Sequence, residues 1–157
     1  MLEPLKQFVC DYCGEIIDSP REGWIEWITE YGDDGRRYAY GFKIVHHAVY
    51  SPRRPKDCYH YTDSEGRSDM HLGHVMNMGY LLHFLDVGPY HEPEYLGPSV
   101  RDVREFVEIM RRLTTPYYEE ARLYWEKALA DGFFSGASPV WIYQPETLKS
   151  LIELYGA

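Results

Sequence analysis

An α+β fold is predicted for this chain by three features of its sequence. Strand-forming aromatic and β-branched residues fill two runs, Glu22 to Thr29 and Tyr38 to Val45, on either side of Gly32-Asp33-Asp34-Gly35. A Cys-x-x-Cys-Gly turn, Cys10 to Gly14, sits ahead of them between short extended pieces at Phe8 and Ile17. From about Ser68 the apolar spacing changes to that of helices.

The elements follow in order. Gly32 to Gly35 favours positive φ and local side-chain bonding, so Trp24–Ile28 and Tyr38–Val45 are expected as the arms of an antiparallel hairpin. Two prolines in Ser51-Pro-Arg-Arg-Pro-Lys56 remove backbone donors, and the chain is expected to return in a short strand around Cys58-Tyr-His60-Tyr. Leu72, Val75, Met76, Leu82 and Leu85 predict a helix over 70–85, against which Gly73 and Gly79 work. Ser99 with Asp102 resembles a capping box, and Val100, Val103, Phe106, Val107, Met110 and Leu113 trace the apolar stripe of a second helix. Thr115 and Pro116 start a third, which buries Tyr117, Ala121, Tyr124, Trp125 and Ala128 and stops before Gly132. After an extended Pro139 to Tyr143, a last helix runs from about Pro145 to Leu154. The polar joint at 62–69 is short. One compact unit of 1–157 is therefore expected, with a β region over 1–67 packed against a helical region of about four helices over 68–157.

Composition narrows the function. Of 157 residues, 45% are apolar and 16% aromatic, enough for a core, and no run approaches the roughly 18 apolar residues of a membrane span. The start MLEPLKQFVC lacks a basic segment followed by a long apolar run, so a cytoplasmic protein is expected, with no membrane partner. The net charge of −9 opposes unspecific binding to nucleic acid. Residues 36–67 are the exception, with seven basic and three acidic side chains, and would meet any anionic partner. Fifteen tyrosines and four tryptophans suit core packing and also protein interfaces. The proline-stiffened run from Val87 to Pro98 would present Tyr90, His91 and Tyr95 as a recognition loop.

Three cysteines in a reducing compartment point to metal or redox chemistry instead of disulfides. A tight turn can bring both thiolates of Cys10 and Cys13 onto one ion, with Gly14 supplying left-handed backbone. These residues resemble the zinc knuckle of rubredoxin-like, zinc-ribbon and treble-clef proteins. The resemblance implies one structural zinc per chain. Those families supply a second Cys-x-x-Cys, whereas here only Cys58 is present, so the fourth ligand must be His46, His47 or His60. His46 is preferred because it follows Phe42 and Ile44 on the more apolar face of its strand. The expected metal set is therefore Cys10, Cys13, His46 and Cys58. Competing readings are a thioredoxin-like pair, which needs a helix directly after the first cysteine, and Cys58 as a small buried apolar residue.

His46 and His47 beside the knuckle also resemble the His-containing hairpin of HNH-type nucleases, which implies a further metal ligand at His71 or His74, near Asp69. Nucleotide-binding, hydrolase-elbow and dinucleotide motifs are absent from the sequence. The reading is a zinc-stabilised accessory protein with a protein partner; the alternative is a metal-dependent hydrolase or HNH-like nuclease using His46, His47, His71 and His74.

Overall fold

A computed structural model describes residues 1–86 and 98–156. Phe8–Val9 (β1) and Ile16–Ile17 (β2) pair antiparallel and hold the Cys-x-x-Cys turn between them. Gly23–Tyr31 (β3) and Arg37–His46 (β4) are the expected hairpin. Its turn is closed by Asp34 Oδ1, which accepts the Arg36 N–H at 2.9 Å, and by Gly35 at φ +74°. Arg67–His71 (β5) runs antiparallel to β3, and Ser99–Val100 (β6) lies parallel to β4, giving the order β5-β3-β4-β6.

A bulge sets which side chains of β4 face inward. Glu26 opposes Lys43 and Ile28 opposes Tyr40, so Gly41 and Phe42 together face Trp27. Gly41 takes φ +69°, the left-handed backbone such a bulge uses, and accepts the Tyr61 hydroxyl on its carbonyl at 2.8 Å. The extra residue turns Ala39 inward, where it is fully buried, and leaves Tyr38 and Tyr40 half-buried on the opposite face.

Mixed α+β architecture is present, and several elements differ from expectation. Residues 67–71 form a strand because β3 offers an open edge: Arg67, Asp69 and His71 take places opposite Ile28, Glu26 and Trp24. The helix expected over 70–85 is reduced to Leu72–Val75 (α1) and Met78–His83 (α2), separated where the Asn77 side chain accepts the Gly79 N–H at 2.9 Å and caps α2. Strands therefore cross the expected boundary at residue 67. No strand forms at Cys58–Tyr61, whose backbone is spent instead on a buried carboxylate: the His60 N–H donates to Glu26 Oε1 at 2.7 Å. Asp102 alone caps Val103–Thr114 (α3), accepting the Arg104 N–H at 2.8 Å, while Ser99 belongs to β6. The third helix is interrupted, with Tyr118–Ala121 (α4) and Trp125–Ala130 (α5) flanking a 3-10 turn, and it starts after a left-handed Tyr117. Gly132 ends it at φ +75°. Trp141–Tyr143 is a 3-10 turn where extended chain was expected, ahead of Pro145–Tyr155 (α6). The expected recognition loop with Tyr90, His91 and Tyr95 lies outside the described residues.

One apolar core lies between the sheet and α1 to α3, and it extends to Phe8, Cys10, Ile17 and Cys58 around the Cys-x-x-Cys turn. Phe42, Phe84 and Phe106 form its centre, with ring centroids 5.2 to 5.5 Å apart. Phe106 is fully buried. Truncation by Phe106→Ala is expected to cost about 3–5 kcal/mol in urea unfolding, since the rings around the void are themselves locked in place. A second cluster of Tyr118, Ala121, Ala128, Leu148, Leu151 and Ile152 joins α4, α5 and α6.

Candidate metal centre

Each candidate ligand is placed by backbone with a local reason to adopt its shape. Cys10 follows β1, and the Gly14 N–H returns to the Cys10 carbonyl at 3.0 Å, closing the turn. Gly14 has φ +76° with open space where a Cβ would stand, so its requirement is conformational and not steric. The turn is tied to β4 by two bonds between Asp11 and Ile44: the Asp11 N–H donates to the Ile44 carbonyl at 2.8 Å, and the Ile44 N–H donates to Asp11 Oδ2 at 2.7 Å. Two residues further along, His46 ends the strand. Cys58 arrives on the loop after Lys56, held by Ser51, whose hydroxyl donates to the Lys56 carbonyl at 2.9 Å and lies 3.3 Å from Cys58 Sγ.

The ligand atoms of Cys10, Cys13, His46 and Cys58 all lie within 4.8 Å of one another. Sulfurs bound to one tetrahedral ion at about 2.3 Å stand roughly 3.8 Å apart, so the group can bind a metal ion after small adjustments. Cys10, His46 and Cys58 are buried and Cys13 is half-buried. His46 Nδ1 stands 3.5 Å from Cys13 Sγ and 3.9 Å from Cys58 Sγ, while Nε2 lies 3.1 Å from the Ile16 carbonyl. A carbonyl can only accept, so it fixes the proton on Nε2 and leaves the Nδ1 lone pair aimed at the sulfurs.

Burial pushes the Cys10 thiol up, and the backbone N–H groups of Cys13, His46 and Tyr12 pull the other way without reversing it. Burial likewise raises the Cys58 thiol. A redox pair needs the opposite, a thiol lowered by a helix N-terminus, and here the turn is followed by β2. A cation is what can ionise these sulfurs, and binding one would release their protons.

The other candidate histidines lie outside this group. His60 meets Tyr12 edge-on with ring centroids 5.0 Å apart. His47 stacks on His71 at 5.3 Å, and its Nδ1 accepts the Val49 N–H at 3.2 Å. His74 is 5.9 Å from His71, between ring centroids. His47, His71 and His74 are neighbouring rings without forming a close-set ligand group: among the described residues, the cysteine–histidine group is the one set of three or more potential ligands brought so close. His46→Ala is therefore expected to abolish bound metal, whereas His47→Ala and His60→Ala retain it, as elemental analysis of the purified variants would read.

A charged cluster that the sequence did not reveal backs the Cys-x-x-Cys turn. Arg112, 4% exposed, forks onto Glu119 with Nε–Oε2 at 2.7 Å and Nη2–Oε1 at 2.9 Å. Its Nη1 donates to Asp11 Oδ2 at 2.8 Å and its Nη2 to the Val9 carbonyl at 3.2 Å. Glu119 Oε1 also accepts the Val9 N–H at 2.9 Å, and Arg122 joins from outside. Burial works against the Arg112 charge, but Glu119 and Asp11 outweigh it and raise its pKa. Asp11, directly after Cys10, is thus bound to α3 through Arg112 and to the 3-10 turn after α4 through Arg122. Nothing local in the sequence marks Arg112 as the centre of this cluster.

No protein-family model, curated protein or solved structure matches the chain. What can be said of its class rests on the geometry: an α+β protein with a cysteine-rich group that can bind a metal ion. Among the described residues no helix is long and apolar enough to cross a membrane.

Proposed function

We propose that Cys10, Cys13, His46 and Cys58 hold one structural zinc ion and that the protein acts as an accessory component, binding another protein through a surface whose shape the zinc maintains. The carrying observation is the convergence of three sulfurs and one imidazole nitrogen from three separate segments. Soft thiolates with one imidazole in a four-donor set suit zinc, and four protein ligands leave no open position for substrate, the pattern of structural sites. The orientation of His46 by the Ile16 carbonyl supports the same reading, since bound imidazoles usually donate their second N–H to such a partner. The whole chain then folds as one unit around the ion.

The test is elemental analysis of protein purified without added metal, with cobalt exchanged into the site. One zinc per chain and the intense visible absorption of tetrahedral cobalt–thiolate support the reading. Absence of zinc, or a pale six-coordinate cobalt spectrum, overturns it. The hydrolase alternative has less support, because His46 is engaged with the sulfurs and His47, His71 and His74, though neighbouring rings, form no close-set group of three ligands. It would require hydrolysis lost in His74→Ala with folding intact.

A further inference from the structure

Tryptophan is on average a well-buried side chain, yet Trp141 is 51% exposed on the 3-10 turn ahead of α6. Its ring lines a cleft of about 350 Å³ together with Phe133, Gln144, Glu146, Thr147 and Ser150. All of these lie in the continuous stretch 133–150. The cleft borders the second apolar cluster, against which Phe133 packs, whereas Cys10 and Cys58 belong to the core under the sheet.

We propose that this cleft receives the ammonium group of a protonated organic amine. Its polar side chains are set as acceptors. The Thr147 hydroxyl donates to the Trp141 carbonyl at 3.2 Å and the Ser150 hydroxyl to the Glu146 carbonyl at 2.9 Å, so each has committed its one proton and keeps lone pairs for a donor. Gln144 directs Nε2 at the Val140 carbonyl, 3.5 Å away, and keeps Oε1 as an acceptor. Glu146 adds a full negative charge. Lys149, the next cation along α6, pairs with Glu153 at 3.8 Å, which leaves Glu146 without an ion pair among the described residues. That full charge outweighs the partial positive charge, about half an elementary charge, at the N-terminus of α6. Trp141 and Phe133 supply aromatic surface, which attracts a cation, tryptophan most strongly. An alkylammonium brings a positive charge and several donors with no acceptor of its own, and so meets both kinds of wall. The volume lies at the lower end of the roughly 300–1,000 Å³ of small-molecule sites, which suits one amine head with a short apolar body.

The experiment titrates the full chain with three probes and reads the backbone N–H resonances of Thr147 and Ser150. Phenethylammonium represents a free amine, Nα-acetyl-lysine methylamide represents a lysine side chain of another protein, and 2-phenylethanol is the neutral counterpart of the first. Phenethylammonium is expected to bind with a dissociation constant of about 1 mM, as befits a fragment of its size, and 2-phenylethanol about fivefold more weakly. Glu146→Gln keeps the size of the side chain and removes its charge. It is expected to weaken both cations about fivefold, the effect of a partly solvated ion pair, and to leave the alcohol unchanged. Glu153→Gln removes the same charge from α6 at a residue that does not line the cleft, and is expected to leave all three probes unchanged. Trp141→Ala, at an exposed position, is expected to weaken the cations about fivefold by removing the larger ring. Tighter binding of the capped lysine would support the site with a partner's lysine as its source, and tighter binding of phenethylammonium would support it with a free amine. The proposal is overturned if neither cation shifts the two resonances, if the alcohol binds as tightly as the cations, or if Glu153→Gln weakens them as much as Glu146→Gln.

Discussion

Stripping the ion from the Cys10–Cys13–His46–Cys58 group is expected to unfold the protein at room temperature. Structural zinc contributes about 10–16 kcal/mol of apparent binding free energy near neutral pH, whereas a whole domain is stable by only about 5–15 kcal/mol. The first quantity is as large as the second. Little besides the ion would hold the Cys-x-x-Cys turn and the Cys58 loop to the β3–β4 hairpin, because β1 and β2 are two residues each and the Cys58 loop has no ladder of its own. Chelation should therefore collapse the thermal melt, and added zinc should restore it. Lowering the pH should weaken metal binding, because each thiol must give up its proton to bind as thiolate and protons compete with the metal for the sulfur. A melt unchanged after verified metal loss would rule out the structural role.

Arg112→Met is expected to cost about 3–5 kcal/mol, as much as emptying the centre of the core, because it leaves Glu119 and Asp11 without their buried cation. For a domain of this size that is a fall of roughly 6–20 °C in melting midpoint. Arg112→Lys should recover little, since an ammonium cannot make the fork onto Glu119 and reach Asp11 together. The paired change Arg112→Met with Glu119→Leu should recover part of the loss by removing a stranded charge along with its partner. A loss under about 1 kcal/mol for Arg112→Met would place the cluster with solvated surface pairs.

The contrast between these two features shows what the sequence carries. The hairpin was legible because each arm states its preference locally in Trp, Ile, Tyr and Val, and Gly32 to Gly35 states the turn. The cysteine pair was legible because two ligands and their glycine are five consecutive residues. Strand β5 was not legible, because Arg67-Ser-Asp-Met-His71 has no strand signal of its own and becomes a strand by meeting the open edge of β3. The helix expected over 70–85 failed for a related reason: apolar spacing persisted through it while Asn77 offered a cap that ended one segment and began another. His46 could be preferred over His47 and His60 from its strand face, but the Ile16 carbonyl that orients it comes from thirty residues away. Arg112 and Asp11 stand 101 residues apart, and no period or motif connects residues so distant.

That separation gives the molecule a built-in order of assembly. All four metal-binding candidates have left the ribosome's active centre once Cys58 is added, while Arg112 is still to be made. At about 5–20 residues per second the interval is roughly 3–10 s. During it the nascent chain can capture its ion while Asp11 remains solvated, and only afterwards does α3 arrive to cover that carboxylate. On the proposed zinc reading, a chain that has captured no ion would meet α3 with its Cys-x-x-Cys turn not yet held, leaving Arg112 without a shaped site to enter.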